Sequence, residues 1–113
     1  MDRCEGGELR RDLKMRLIQE RLQCDWCGKW LHGVGDLHEW LVKRNVLPKN
    51  QQIFDERNCA LLHHNCHMRY GQTKAMAEKL APIFMKRYGR DAMVAFVEGL
   101  ELRQPSQFMQ WLR

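Results

Sequence analysis

Cysteine and histidine residues recur at a spacing that suits metal binding. Five cysteines, an odd number, occur in this chain of 113 residues, and two of them form the segment Cys24-Asp-Trp-Cys27-Gly. A C-x2-C spacing followed by glycine is typical of a zinc knuckle, in which a tight turn directs two thiolates at one tetrahedral ion. The same spacing recurs downstream between His63 and Cys66. We therefore predict one structural zinc ion bound by Cys24, Cys27, His63 and Cys66.

Cys59 is the alternative to His63 as the fourth ligand. It lies in a predicted short strand, where alternating side chains face the core, so packing is its expected role. The 35 residues between the two pairs make the zinc ion a cross-link that closes a long loop. A cross-link of this kind restricts the unfolded chain and stabilises a small domain.

Four further polar residues are of the types that metal-dependent phosphodiester cleavage uses. His38 and Glu39 lie in the first predicted strand, Asn58 begins the second, and His67 directly follows Cys66. Because His67 is adjacent to a zinc ligand, the structural ion is expected to fix its position.

The ordered set C-x2-C, His-Glu, Asn and H-x2-C-His resembles the HNH nuclease family, whose zinc-stapled members have a ββα-metal fold. The stretch Asn58-Cys-Ala-Leu-Leu-His-His-Asn-Cys-His67 is similar to the family signature N-x3-L-C-x2-C-H except at His63. The resemblance covers about residues 24–70 and extends to small HNH proteins of phages and bacterial genomes. It implies an endonuclease that hydrolyses DNA phosphodiester bonds with Mg2+ or Mn2+ and leaves 5′ phosphate and 3′ hydroxyl ends.

The resemblance also implies individual roles. His67 is a ligand of the catalytic ion, and Asn58 braces the loop between the strands or gives an oxygen to the metal. The first-strand pair is usually Asp-His or His-His, so Glu39 is a departure. In the family register His38 binds the ion and Glu39 is the general base. In the alternative, which we favour on chemical grounds, Glu39 binds the hard ion and His38, with an ordinary pKa of about 6.5, is the base.

Positive charge is concentrated around these residues. Residues 41–90 contain ten basic and three acidic residues, a net charge of +7, whereas the rest of the chain carries −2. This distribution favours a polyanionic partner, DNA, bound through its phosphates. Nothing resembles a base-reading module, so strong sequence specificity is not expected. The expected DNA contacts are Lys43, Arg44, Arg69 and Lys74.

The sequence pattern around these groups predicts helices and short strands that form an α+β fold in one domain, residues 1–113. A small ββα-metal core with a zinc knuckle, residues 24–72, is flanked by an N-terminal helix within 1–23 and C-terminal helices within 73–113. Alternation along the first strand, residues 36–41, places Asp36 and His38 on one face. Apolar stripes on the C-terminal helices indicate core packing or a dimer face.

Other classes of protein are disfavoured by composition. No apolar run approaches the roughly 20 residues that cross a bilayer, and the N-terminus is too charged for a signal peptide. We expect a cytoplasmic protein, in a bacterial cell or a phage-infected host, that acts as a monomer or homodimer. One site per chain implies nicking, and double-strand cleavage would require dimerisation or two visits. The main alternative is a catalytically inactive zinc-stapled ββα module that binds DNA or acts as an adaptor. A protein-interaction knuckle is a third possibility, and it leaves Asn58 and His67 unexplained.

Overall fold

Helices surround one small antiparallel sheet in the computed structural model, which describes residues 3–113, with side chains from residue 7 onward. The α-helices are α1 (Arg3–Glu20), α2 (His64–Tyr70), α3 (Lys74–Tyr88), α4 (Arg90–Gly99) and α5 (Ser106–Met109). The strands are β1 (Asp36–Glu39) and β2 (Cys59–Leu62), and short 3-10 turns occupy Gln51–Ile53 and Gln110–Leu112. The predicted α+β class is confirmed. No helix in the described range is long and apolar enough to cross a bilayer.

The sheet consists of β1 and β2 paired antiparallel, with His38 opposite Ala60 and Glu39 opposite Cys59. All four residues of β2 are buried, because the strand is covered on both faces instead of one. Cys59 is fully buried there, and burial raises the pKa of its thiol. Its expected packing role is therefore confirmed.

The C-terminal helices supply much of the core. Met76, Leu80 and Phe84 of α3 and Met93 and Val97 of α4 are all buried within the chain. Their stripes therefore form core, and the dimer face considered as their alternative role does not lie on them.

Two elements end earlier than the sequence predicts, each for a local reason. Helix α1 ends at Glu20, before residue 23, because Gln23 forms a β-bridge with Trp30 at the base of the zinc knuckle. Strand β1 ends at Glu39, before residue 41, because the N–H groups of Leu41 and Val42 donate to the side chain of Asn58 instead of to backbone carbonyls of β2.

A buried carboxylate fastens the knuckle to the sheet. The backbone N–H of Asp25 donates to the Leu61 carbonyl at 3.0 Å, and the Leu61 N–H donates back to Asp25 Oδ2 at 2.9 Å. Arg87 of α3 donates to the other oxygen, Oδ1, at 3.0 Å. Arg21, which is also buried, lies 3.6 Å from Oδ2. Asp25 thus joins the knuckle, β2 and α3 at one point.

Candidate metal centre and the adjoining cleft

The knuckle is a tight turn closed by backbone hydrogen bonds. The Cys24 N–H donates to the Lys29 carbonyl at 2.8 Å, and the Gly28 N–H donates to the Cys24 carbonyl at 2.9 Å. Gly28 has φ +78°, in the left-handed region that glycine adopts without strain. The turn directs the two cysteine side chains to the same side, toward the start of α2.

The four predicted ligands come together at this place. The ligand atoms of Cys24, Cys27, His63 and Cys66 all lie within 4.8 Å of one another, and Cys27 Sγ is 3.2 Å from His63 Nδ1. Ligand sulfurs around a tetrahedral zinc ion are roughly 3.8 Å apart, given Zn–S distances of about 2.3 Å. The group can therefore hold a metal ion, and its composition suits zinc.

Hydrogen bonding selects the ligand nitrogen of His63. Its Nε2 lies 2.8 Å from the carbonyl oxygen of Trp30, so Nε2 carries the hydrogen and Nδ1 is left bare beside Cys27. Metal-binding histidines commonly donate a hydrogen bond from their second ring nitrogen in this way. His63 thus directs its Nδ1 at the cluster.

The thiols of the cluster influence one another. Burial opposes ionisation of Cys27, but hydrogen bonds from the Lys29 backbone and from Cys24 and Cys66 lower its pKa below the ordinary value. Burial, followed by the neighbouring Cys24, raises the pKa of Cys66 to about 12. Crowded thiolates of this kind are stabilised by a divalent cation, which neutralises their mutual repulsion.

Directly after Cys66, the last residue of the Cys/His cluster, His67 faces strand β1. Its Nδ1 lies 2.9 Å from Asp36 Oδ2, and its ring centroid is 5.1 Å from that of His38. Asp36 and His38 share one face of β1, as the alternation predicts. His64 Nδ1 lies 2.8 Å from the same Asp36 oxygen. The structure thus brings His38 and His67 together and adds Asp36, whose role the sequence analysis missed.

Burial and hydrogen bonding set the ionisation of this group. Burial, with a smaller contribution from His67, lowers the pKa of His38 to about 4, so its ring is neutral at pH 7. Burial opposes the ionisation of Asp36, but hydrogen bonds from His67 and His64 hold its pKa below the usual value. The site therefore contains a neutral imidazole beside a carboxylate-bound one.

Glu39 is positioned differently from its strand neighbour. Its Oε1 lies 3.1 Å from an Arg44 guanidinium nitrogen, and alternation places it on the opposite face of β1 from His38. It nonetheless lines the same cleft, a space of about 590 Å³ whose walls include His38, Glu39, His67, Arg10, Lys43 and Arg44. Among the described side chains, only the group Cys24, Cys27, His63 and Cys66 brings the ligand atoms of three or more Cys, His, Asp or Glu residues close together.

The chain as a whole matches no protein-family model, curated protein or solved structure.

Of the four expected DNA contacts, two lie at the cleft. Lys43 and Arg44 line it, and the Lys43 ammonium donates to the side chain of Gln72 at 2.7 Å. Arg69 and Lys74 are exposed on and beside α2 but do not line the cleft. Sequence reasoning overlooked Arg10, which α1 contributes to the cleft wall from outside the ββα unit.

Asn58 is completely buried, and all of its polar side-chain groups are engaged. Its Oδ1 accepts from the backbone N–H groups of Leu41 and Val42 at 3.2 and 2.8 Å. Its Nδ2 donates to the carbonyls of Val42 and Ile53 at 2.8 and 2.9 Å. Of the two roles considered for Asn58, the contacts favour the brace, because both lone pairs of Oδ1 are already occupied.

Removing this brace is expected to be costly. Asn58→Ala removes the hydrogen bonds that its amide makes to two backbone N–H groups and two carbonyls, so we expect the free energy of unfolding to fall by about 3 kcal/mol. Asn50→Ala is the control, because it removes one exposed hydrogen bond, to the Gln52 N–H, at the start of a short 3-10 turn. Urea unfolding compares the two, and equal losses would contradict the assignment of Asn58 as the main loop brace.

Proposed function

We propose that this protein is a zinc-stabilised endonuclease of the HNH type that nicks DNA by metal-assisted hydrolysis. The observation that carries the proposal is the position of His67, which follows the metal-cluster residue Cys66 and bonds to Asp36. It lies against His38 in a cleft with three basic side chains, Arg10 among them. Few other functions would use a histidine pair beside a structural metal in a basic cleft.

The residues suit a catalytic divalent ion. With Nδ1 of His67 held by Asp36, Nε2 remains as its ligand atom, in the carboxylate–histidine arrangement common behind metal ligands. Glu39 binds Arg44 through Oε1, which leaves Oε2 as a hard oxygen ligand. Mg2+ and Mn2+ take few protein ligands and fill the remainder with water and phosphate oxygens. When bound, such an ion neutralises the negative charge that develops on the phosphate.

The contacts favour His38 as the general base over Glu39. Glu39 Oε1 is held 3.1 Å from the Arg44 guanidinium, so this carboxylate is already engaged and is less free to turn toward an attacking water. His38 is buried beside His67 and has a neutral ring at pH 7, with a nitrogen lone pair that can accept a proton. Because burial lowers the pKa of this ring to about 4, it would act only on a water made more acidic by a bound divalent ion. Glu39 then acts as a metal ligand, in the second of the two arrangements considered.

Asp36 is expected to act through His67. Asp36→Asn keeps the shape of the side chain but removes the negative charge that fixes the His67 tautomer, so we expect nicking to slow by about 10- to 100-fold. His64→Ala is the matched control, because His64 bonds to the same oxygen but is mostly exposed. Nicking rates in Mg2+ compare the two variants. Equal slowing of nicking by both would contradict the expectation that Asp36 acts through His67.

Incubation of supercoiled plasmid with the purified protein tests the proposed function. We expect nicked circles with Mg2+ or Mn2+ and intact supercoils with EDTA. DNA binding without metal-dependent nicking would contradict the proposal and support the alternative, an inactive DNA-binding or adaptor module. The specific observation behind that alternative is Glu39, which stands at the family's usual base position and is tied to Arg44.

A further inference from the structure

Arg10 is an unusual residue of the cleft. It belongs to α1, outside the ββα unit, yet it lines the same space as His38 and His67. Its Nε is buried and makes no hydrogen bond, and no other buried side-chain nitrogen or oxygen of the described residues lacks a partner. One terminal nitrogen donates to the Leu37 carbonyl at a long 3.3 Å.

This arrangement is unfavourable for the protein alone. A buried donor without an acceptor loses its hydration and gains nothing in return, and the cost is larger for a charged group. The described residues do not neutralise the charge, since Glu39, the only carboxylate in the cleft wall, is paired with Arg44. Arg10 therefore has donor capacity to spare at the wall of the cleft, but Nε itself is shielded from solvent, so a ligand reaches it only when the side chain turns toward the cleft.

A phosphate group has the chemistry to complete this site. The planar guanidinium presents its donors as a fork that matches two phosphate oxygens, and Nε is one arm of that fork. Lys43, which follows β1 in the sequence, lines the same cleft and adds a second positive charge.

We propose that Arg10 is a phosphate-binding residue of the cleft, whose side chain turns toward the cleft and donates from Nε and a terminal nitrogen to the phosphodiester group that lies beside His67. The proposal rests on the proposed function for the identity of the substrate as DNA. Phosphate binding itself requires only the cleft and does not require cleavage. Arg10 would thereby hold the reacting group against the histidine pair and stabilise its negative charge.

The test compares Arg10→Met with Arg11→Met. Both substitutions remove one positive charge from α1 and keep a good helix former, but Arg11 is exposed and does not line the cleft. With metal, we expect kcat/KM for plasmid nicking to fall about 100-fold for Arg10→Met and less than threefold for Arg11→Met. In EDTA, Arg10→Met should weaken binding of a short DNA duplex and reduce the salt slope by about one, whereas Arg11→Met should leave the slope unchanged.

Stability separates binding from a structural role. Arg10→Met removes an unpartnered donor, so its Tm should equal or exceed that of the wild type while its DNA binding weakens. Arg10→Lys should recover part of the binding but not the full nicking rate, because an ammonium cannot form the fork. A fall in Tm that accounts for the lost activity, or equal behaviour of the Arg10 and Arg11 variants, would overturn the proposal.

The outcomes also distinguish this inference from the proposed function. If the wild type does not nick DNA but Arg10→Met selectively loses binding in EDTA, the endonuclease proposal fails and the phosphate site stands. If the wild type nicks DNA and the two methionine variants nick and bind DNA equally well, the phosphate site fails and the endonuclease proposal stands.

Discussion

Cys27→Ser is expected to release the bound metal and leave the chain largely unfolded. The variant removes one of four converging ligands, and a structural zinc ion contributes on the order of 10–16 kcal/mol to folding in small zinc domains. That amount is comparable to the total stability of a typical domain, about 5–15 kcal/mol. Elemental analysis should find one zinc per chain in the wild type and almost none in the variant, and circular dichroism should show loss of helix.

Cys59→Ala serves as the control for this experiment. Cys59 is fully buried in β2 but is not part of the metal cluster, so the variant should keep its zinc and lose only about 1–2 kcal/mol from the small cavity. A zinc-free wild type that is fully folded would contradict the structural role of the metal. Retention of a full zinc ion by Cys27→Ser would contradict the ligand set.

His67→Ala is expected to abolish nicking without disturbing the zinc centre. The variant removes the side chain that links Asp36 to the cleft and that we assign to the catalytic ion, so we expect a loss of about 1,000-fold or more. His67 is only partly buried and is not part of the metal cluster, so zinc content and Tm should change little. His64→Ala, one turn earlier on α2, should nick DNA at nearly the wild-type rate.

The metal cluster could be predicted from the sequence because each pair of ligands is only three positions apart along the chain. The Cys24–Cys27 spacing forms a short turn, and the His63–Cys66 spacing spans the start of α2, so each pair is positioned by local structure. A tetrahedral ion requires two such pairs. The assignment of Cys59 to the core followed from strand alternation in the same way. The loop-bracing role considered for Asn58 agrees with the four hydrogen bonds that its amide makes.

Contacts between distant residues were the part that the sequence could not reveal. Asp36 and His67 are 31 positions apart, and their contact depends on how α2 lies across β1 after the zinc cluster has fixed its start. Arg10 lines the cleft because of the way in which α1 packs against the sheet. Its neighbour Arg11 is the same residue type but is exposed outside the cleft, so the local sequence alone does not distinguish the two. The two early element ends also arose from non-local or side-chain bonds, at Trp30 and Asn58.

The most direct test of the endonuclease proposal is the conversion of supercoiled plasmid by zinc-loaded wild-type protein and by zinc-loaded His67→Ala, side by side in Mg2+ or Mn2+. We expect nicked circles from the wild type and intact supercoils from the variant. Equal conversion by both proteins, or none by either, would contradict the account.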